Sequence, residues 1–355
     1  MSDLLIAAGG GGDPVGTAIV HAATSRDPHA VIATYAWERL EVDPTPGPLG
    51  PAAFTGWRGS AGGHRFTGRT TAVPPAGSTL PRLSESLGPS LLLLDPYQGV
   101  PGLARQIRRA ADASGCGQVR IVDIGGDILT HGDEPTLQSP LPDALTLAAC
   151  ATAGVTASVH VAGPGLDGEI PEGVLLPRLT GGHLTPTDQD VRAAAAALAW
   201  HPSEASALFA AAATGRRGTV RTVGDEVRLT PASGQVHHLT LDQALAHNPL
   251  ARALYQEQPG SLEDAERLAL RTCGFSELAR EREAAERLSA TAPASRAVPV
   301  PTSRDQVLYT LWQSAPGAGC VTFRYAARVL GLSWRDIPRL RELTKADGPL
   351  LPLVM

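Results

Sequence analysis

The first two dozen residues restrict the fold more than any other part of the chain. A continuous apolar run, Leu4 to Ala8, leads directly into four glycines, Gly9 to Gly12, and then Asp13-Pro14. Apolar residues recur at helical spacing from Val15 to Ala23. This order is typical of a buried strand, a tight glycine turn and a helix.

The same alternation continues through the first half of the chain. Apolar runs predict further strands at 31–36, 91–94, 119–124 and 155–161, and helical patterns fall at 99–114 and 142–152. Strands that alternate with helices imply βαβ units and parallel pairing. The predicted fold class is therefore α/β, a Rossmann-like, mostly parallel sheet flanked by helices. Residues 43–81 interrupt the pattern with a long Gly/Pro-rich stretch, which predicts a lid, a binding loop or an insertion.

The second half predicts an extension and a separate small module. Thr187-x-x-Asp190 opens Ala-rich helices, residues 219–230 resemble a hairpin, and helical patterns follow at 248–256 and 261–289, the latter densely charged and expected to be solvated. We expect a ligand-binding domain over 1–290, with this helical and hairpin extension over about 187–290. A Pro-rich linker over 291–302 and a small helical, winged-helix-like module over 303–355 complete the chain.

Composition excludes several classes of protein. Lys345 is the only lysine beside 29 arginines, so the main domain has no lysine for a phosphate loop or a Schiff base. The four cysteines are far apart, which argues against a zinc or disulfide framework and fits a reducing cytoplasm. The N-terminus does not resemble a signal peptide, and no apolar run is long enough for a membrane. A net charge of −5 disfavours nucleic acid as a partner.

Acidic residues follow four of the predicted strands. They are Asp13, Asp95, Asp123 with Asp127, and Asp167 with Glu169. Parallel sheets bind ligands beyond the carboxyl ends of their strands, so these groups are expected to converge. Asp123 and Asp127 are candidate metal ligands, with the capping of loops as the alternative role. Asp167, Glu169 and Asp127 are candidate catalytic residues, although Asp167-Gly168 could also form an ordinary solvated turn.

The glycine turn predicts an anion site. Gly9 to Gly12 leave backbone N–H groups at a helix N-terminus, which favours phosphate or carboxylate. Asp13 could cap the helix, contact a ligand, or do both. Gly125 and Gly126, beside Asp127, join the candidate cofactor-binding set. A dinucleotide-type spacing, with Glu38 near the position of a ribose-binding acid, keeps an NAD(P)-dependent oxidoreductase as an alternative.

Basic and imidazole side chains carry less information. No two histidines have the spacing of a helix-borne metal site, and Arg216-Arg217 is expected to satisfy a helix C-terminus rather than to grip a ligand. In the C-terminal module, residues 325–341 match a helix-turn-helix pattern, and the module carries about +3 of charge. Docking onto another part of the chain or a protein is favoured over DNA. Arg324, Arg328, Arg335 and Arg339 on one exposed face would favour a regulator.

Four segments together resemble a known family. They are IAAGGGGDPVG at 6–16, VDIGGD at 122–127, GPGLDGE at 163–169 and TGRRGTV at 214–220. The chain resembles, over roughly residues 1–255, a family of bacterial and archaeal proteins described only as a domain of unknown function. The resemblance implies a Rossmann-like fold and no particular activity, and it leaves out the C-terminal module.

The function that these features favour is an enzyme acting on a phosphate-bearing or nucleotide-like small molecule. Transfer, ligation and hydrolysis remain open, with Mg²⁺ and a nucleotide as candidate cofactors. Two other hypotheses are a nucleotide-sensing regulator that uses the C-terminal module, and a scaffold with a vestigial site. The expected partner is a small molecule carrying phosphate or carboxylate, and a homo-oligomer remains open.

Overall fold

A computed structural model of the protein describes residues 2–290 and 303–353. The predicted linker, 291–302, lies outside the described residues. Within the described ranges the chain forms fifteen strands. In chain order they are β1 (Leu4–Ala7), β2 (Val31–Tyr35), β3 (Phe54–Thr55), β4 (Arg58–Ser60), β5 (Gly63–Arg65), β6 (Thr71–Ala72), β7 (Ser90–Leu94), β8 (Val119–Ile124), β9 (Ala157–Ala162), β10 (His183–Leu184), β11 (Gly218–Arg221), β12 (Glu226–Leu229), β13 (Val236–Thr240), β14 (Cys320–Val321) and β15 (Leu351–Pro352).

The same ranges contain fifteen α-helices. They are α1 (Asp13–Thr24), α2 (Leu80–Ser86), α3 (Gly99–Ser114), α4 (Pro140–Ala153), α5 (Glu172–Leu175), α6 (Asp188–Arg192), α7 (Ala195–Leu198), α8 (Glu204–Ala213), α9 (Leu241–His247), α10 (Pro249–Glu257), α11 (Leu262–Cys273), α12 (Glu277–Ala290), α13 (Arg304–Ser314), α14 (Phe323–Val329) and α15 (Ile337–Thr344). None of these helices combines the length and apolar character that a bilayer span requires.

The central sheet has nine strands in the order β10-β13-β9-β8-β1-β2-β7-β5-β4. Its inner five, β9-β8-β1-β2-β7, are parallel to one another. Read from β7, this is the doubly wound order 3-2-1-4-5, which confirms the Rossmann-like α/β prediction. The outer strands pair antiparallel at both ends.

Helices cover both faces of this sheet and separate the core into two layers. One layer packs apolar residues of α3, α4, α10 and α11 against the sheet, and the other packs those of α1 and α8. Strand β1 is fully buried because it lies in the middle of the sheet with helices on both sides. The continuous apolar run at its sequence position reflects this double burial.

The long segment 43–81 is an insertion that extends the sheet. Its hairpin β4–β5 joins the edge of the sheet through β7, where Arg65 pairs with Leu92. Phe54, Trp57 and Phe66 pack together with ring centroids 5.0–5.3 Å apart. These rings belong to the same apolar layer as α1 and α8, which explains how so irregular a stretch is held in place.

The predicted helix at 261–289 is in fact two helices. Gly274 adopts a left-handed conformation, with φ of 78°, and ends α11. Ser276 Oγ then accepts a hydrogen bond from Ala279 N near the start of α12. Glycine is the residue that most readily adopts this helix-ending conformation, so the break follows from Gly274.

The C-terminal module joins the rest of the chain through a second sheet. Strand β11 of the predicted hairpin pairs with β12 on one side and, in parallel, with β14 on the other. Strand β15 completes the order β12-β11-β14-β15. Helices α13, α14 and α15 pack on a core of their own that includes Leu311, Phe323 and Ile337.

Candidate functional site

A cavity of about 480 Å³ opens beyond the carboxyl ends of β1, β8 and β9. From β1 the chain passes to β2 on one side of it, while β8 lies on the other side. The edge beside β1 is therefore the switch point of the sheet, where doubly wound proteins bind ligands. Acidic residues dominate its lining: Asp13, Glu38, Glu41, Asp123, Asp127, Asp143, Asp167, Glu169, Glu204, Glu277, Glu281 and Glu283.

The structure brings most of the predicted site residues together. Gly9 to Gly12, Asp13, Asp123, Asp127, Asp167 and Glu169 all line the cavity. Gly125 and Gly126 lie behind it, where their positive φ angles allow the chain to turn and Asp167 to approach closely. Asp95 is not among the lining residues, and its side chain instead accepts a hydrogen bond from Tyr97 N.

Three of the lining carboxylates lie close together. Each of Asp123, Asp127 and Asp143 offers an oxygen atom, and these atoms lie within 4.8 Å of one another. Asp123 and Asp143 are each only 1% exposed. Among the described residues, Asp123 Oδ2 and Asp143 Oδ1 have no hydrogen-bond partner. Buried anions without partners are costly, and clustered oxygen ligands are what Mg²⁺ and Ca²⁺ bind.

The pKa values of the clustered carboxyl groups also favour a bound cation. Burial, and then the charges of neighbouring carboxylates, raise the pKa values of Asp123, Asp127 and Asp143 well above the usual range. Burial also raises the pKa of Asp13 and of Asp167 to about 7. A cation placed among these groups would neutralise the repulsion that causes part of these shifts.

Asp143 was missed in the sequence analysis. It occupies the first turn of α4, a helix otherwise built mainly from Leu, Ala and other small residues. Glu169 fixes the residues just before this helix, because its carboxylate accepts hydrogen bonds from Gln138 N at 2.8 Å and Ser139 N at 2.9 Å. The available signal was a single acidic residue on an otherwise apolar helix, because a buried carboxylate needs a polar or charged partner.

Glu169 and Asp167 therefore have different roles in the structure. Both oxygens of Glu169 are engaged, since Ser139 Oγ also donates to Oε1. Asp167 accepts a hydrogen bond from Glu169 N with Oδ1 at 3.0 Å, while its Oδ2 has no partner among the described residues. Asp167 therefore keeps one oxygen free of hydrogen bonds from the described residues, whereas Glu169 positions the backbone.

The glycine turn is packed by the chain itself. Gly10 and Gly11 have positive φ angles and lie against Trp37, and Gly9 N donates to Asp13 Oδ2 at 2.9 Å. Gly12 rather than Asp13 is the N-cap of α1, so Asp13 is the first helical residue. Among the described residues, the amides of Gly10, Gly11 and Gly12 have no acceptor. They remain available to an anion or to water.

The need for glycine at position 12 can be tested directly. A Cβ there would lie 2.2 Å from Ser203 Oγ and 2.4 Å from Ser203 Cβ. We expect Gly12→Ala to lower the free energy of unfolding by about 1–3 kcal/mol through overpacking. Ser203→Gly costs a few tenths of a kcal/mol as a cap change and should restore most of the loss in the double variant. Urea unfolding of all four proteins measures this, and strictly additive losses would contradict the assigned clash.

Glu38 is already hydrogen-bonded to other residues of the protein. Its Oε1 accepts hydrogen bonds from Thr79 N and Thr79 Oγ1, both at 2.6 Å, and from Ser78 Oγ at 3.3 Å. These contacts fix the start of α2. The carboxylate that the dinucleotide alternative assigned to a ribose is thus occupied by the chain, which weighs against that alternative.

Helix α12 covers the cavity, although its charges predicted a solvated helix. Glu277 accepts a hydrogen bond from Leu141 N at 3.1 Å, and Glu281 accepts from Trp37 Nε1 at 2.9 Å and Gly47 N at 2.7 Å. Arg280 also lines the cavity and supplies positive charge near the carboxylates. One face of α12 therefore belongs to the site, and the sequence offered no sign of which face.

The C-terminal module touches the cavity wall. Arg324 is 11% exposed, with its Nε 2.5 Å from Glu41 Oε1 and its Nη1 3.5 Å from Glu204 Oε2. Trp334 Nε1 donates to Glu41 O at 3.1 Å. Arg324 therefore does not join the exposed Arg328, Arg335 and Arg339, and the helix-turn-helix face is partly occupied by the main domain. Arg217 donates to Ala212 O near the end of α8, as expected for a helix C-terminus.

The fold and the site define a doubly wound α/β protein with a deep acidic cavity at the switch point of its sheet. The chain belongs to the family described as protein of unknown function (DUF1152), whose model matches residues 4–285. This confirms the resemblance expected from the sequence and extends it into α12, leaving residues 286–355 outside the match. No curated protein and no solved structure matches the chain.

Proposed function

We propose that the protein is a divalent-cation-dependent enzyme acting on a small molecule that carries phosphate. The observation that supports this is the group of three buried carboxylates, Asp123, Asp127 and Asp143, with two unpartnered oxygens. In this proposal they hold Mg²⁺ or a similar ion. Oxygen ligands around a hard cation bound to few protein groups are typical of sites that handle phosphate.

The charge of the cavity explains why a cation and the substrate must act together. An anion approaching the glycine turn alone would meet the repulsion of Asp13 and Asp167. A cation at the carboxylates reverses the local charge, and the free amides of Gly10 to Gly12 can then bind phosphate oxygens. Arg39 and Arg280 add positive charge in the lining. A volume of about 480 Å³ suits a small molecule of nucleotide or sugar-phosphate size.

Asp167 is the proposed general base. Its pKa of about 7 matches the requirement that a base be partly deprotonated near neutral pH. In a hydrolytic step, Asp167 would take the proton of the attacking water as the new O–P bond forms, and the leaving oxygen would depart as the old bond breaks. In a transfer step, a substrate hydroxyl would take the place of the water.

A thermal-shift panel tests this proposal. Inorganic phosphate, nucleotides, sugar phosphates and dinucleotides are each added with and without Mg²⁺ or Mn²⁺. A ligand at a hundred times its Kd adds about 2.7 kcal/mol, which is readily visible as a rise in Tm. We expect a cation-dependent shift that is lost in Asp127→Ala and kept in Asp95→Asn, a strand-end acid outside the cavity.

The outcomes separate the candidate functions. A shift followed by phosphate release or transfer supports the enzyme. A shift without turnover, together with altered hydrogen exchange in β14 and α14, would favour a ligand-sensing regulator, because Arg324 links that module to Glu41 and Glu204 of the cavity wall. No shift with any ligand or cation would reject the phosphate proposal.

A further inference from the structure

Six of the ten histidines lie in three ring-to-ring pairs, and none of these six lines the cavity. His131 and His247 are stacked, with centroids 6.0 Å apart and planes at 15°. His160 and His238 lie 5.2 Å apart at 68°, and His183 and His237 lie 5.3 Å apart at 42°. The last two pairs are both on the antiparallel end of the sheet, on β9, β13 and β10.

His183 and His237 are directly opposite each other on β10 and β13. The adjacent pair is hydrogen-bonded, because His238 N donates to Gly182 O at 2.9 Å. In an antiparallel ladder the two kinds of pair alternate, so His183 and His237 form a non-hydrogen-bonded pair. The side chains of such pairs approach each other most closely.

His237 is buried but has no hydrogen-bond partner. The residue is only 6% exposed, and both of its ring nitrogens lack a hydrogen-bond partner among the described residues. Burial, and then the nearby His183, lower the pKa of His237, which keeps the ring neutral at physiological pH. A neutral imidazole is the form that binds metal ions, and a buried ring nitrogen without a partner is an uncommon cost.

The ring geometry suits one shared ion. With Zn–N bonds of about 2.0–2.1 Å and a tetrahedral angle, the centroids of two imidazoles on one ion lie roughly 5 Å apart. The inclined rings of His183 and His237, at 5.3 Å, match this arrangement. The stacked rings of His131 and His247 do not direct their nitrogens to a common point, and His160 Nε2 is already hydrogen-bonded to Ser158 Oγ at 3.1 Å.

We propose that His183 and His237 bind a late first-row transition-metal ion, such as Zn²⁺, that pins β10 to β13. Strand β10 pairs with β13 at only two positions, so a metal link would secure a weakly held edge. The exposed side chain of His183 gives the ion access from solvent. Water would fill the remaining positions of the tetrahedral ion.

The test uses the untagged full chain, treated with a chelator and supplied with excess Mg²⁺ to fill the carboxylate cluster. Zn²⁺ affinity is measured by competition with a chromophoric chelator, and Cu²⁺ bound at one equivalent is examined by electron paramagnetic resonance. We expect nitrogen coupling from imidazole. His183→Gln should remove this coupling and weaken Zn²⁺ binding at least about tenfold, a change of about 1.4 kcal/mol.

Two further variants make the result specific. His238→Gln, in the neighbouring pair, should bind Zn²⁺ as the wild type does, and so should Asp127→Ala, which removes a carboxylate of the cavity. A copper spectrum with oxygen ligands alone, or affinity unchanged in His183→Gln, would overturn the proposal. Failure of Zn²⁺ binding would leave the phosphate proposal intact, because the two sites share no residue.

Discussion

Asp143→Asn is expected to make the cation-free protein more stable while removing its response to Mg²⁺. Asparagine keeps the shape of the side chain and removes one charge from a buried cluster in which burial and repulsion raise the pKa of Asp143. Relief of these costs should raise the free energy of unfolding of the cation-free protein at pH 8, where this carboxyl group is ionised in the unfolded chain. Urea unfolding in a chelator and in saturating Mg²⁺ measures both effects.

The lead of the variant over the wild type should shrink or reverse in saturating Mg²⁺. Mg²⁺ at a hundred times its Kd adds about 2.7 kcal/mol to the wild type and little to the variant. Asp95→Asn is the matched control: asparagine caps about as well as aspartate, so stability should change little and the full Mg²⁺ response should be kept. An Asp143→Asn protein that is less stable in chelator, yet still stabilised by Mg²⁺, would show that Asp143 has a structural role instead.

The affinity for Mg²⁺ is expected to rise steeply with pH between about 6 and 8. Asp13 and Asp167 have folded pKa values of about 7 against an ordinary 3.8, so their stabilising contribution is complete below pH 3.8 and is lost as the pH rises through 7. Protons on Asp13 and Asp167 reduce the negative charge that attracts the cation to the neighbouring Asp123, Asp127 and Asp143. Each displaced proton gives roughly a tenfold gain in affinity per pH unit.

Buried histidines complicate the pH dependence of stability but not that of the Mg²⁺ effect. His201 and His160 have pKa values lowered by burial to about 3 and about 4, so they destabilise the fold progressively below pH 6.5 whether or not the cation is bound. The difference in unfolding free energy with and without Mg²⁺ cancels this contribution. Calorimetric titration in buffers of different ionisation enthalpy counts the protons released. A Mg²⁺ affinity that does not change with pH would contradict binding at these carboxylates.

The strand ends were the part of the site that the sequence predicted best. Asp13, Asp123 and Asp127, and Asp167 converge because parallel strands present their carboxyl ends at one edge of the sheet. Asp95 obeys the same rule but does not join them, because the other acids follow β1, β8 and β9, whereas β7 lies on the opposite side of β1, beyond β2. The sequence identifies strands without giving their order, so it could not show which strand ends meet at the switch point.

The missed parts of the site come from tertiary packing. Asp143 reaches the cluster because Glu169 fixes the turn before α4, a contact between residues about thirty positions apart. Helix α12 covers the cavity because Glu281 reaches Trp37 and Gly47. A charged helix with Glu and Arg at helical spacing has the same pattern whether it faces water or an acidic cavity. Local periodicity therefore could not distinguish the two.

The parallel pairing of β11 with β14 has a consequence for the production of shortened proteins. A truncation at the linker would appear to separate the family domain from the C-terminal module cleanly. It would instead remove the strand that covers β11, in which Val220 is 1% exposed, and leave an open edge available to other chains. It would also remove the Arg324 guanidinium from Glu204. Such a fragment should aggregate, whereas the intact chain carries its own protection against edge-to-edge association.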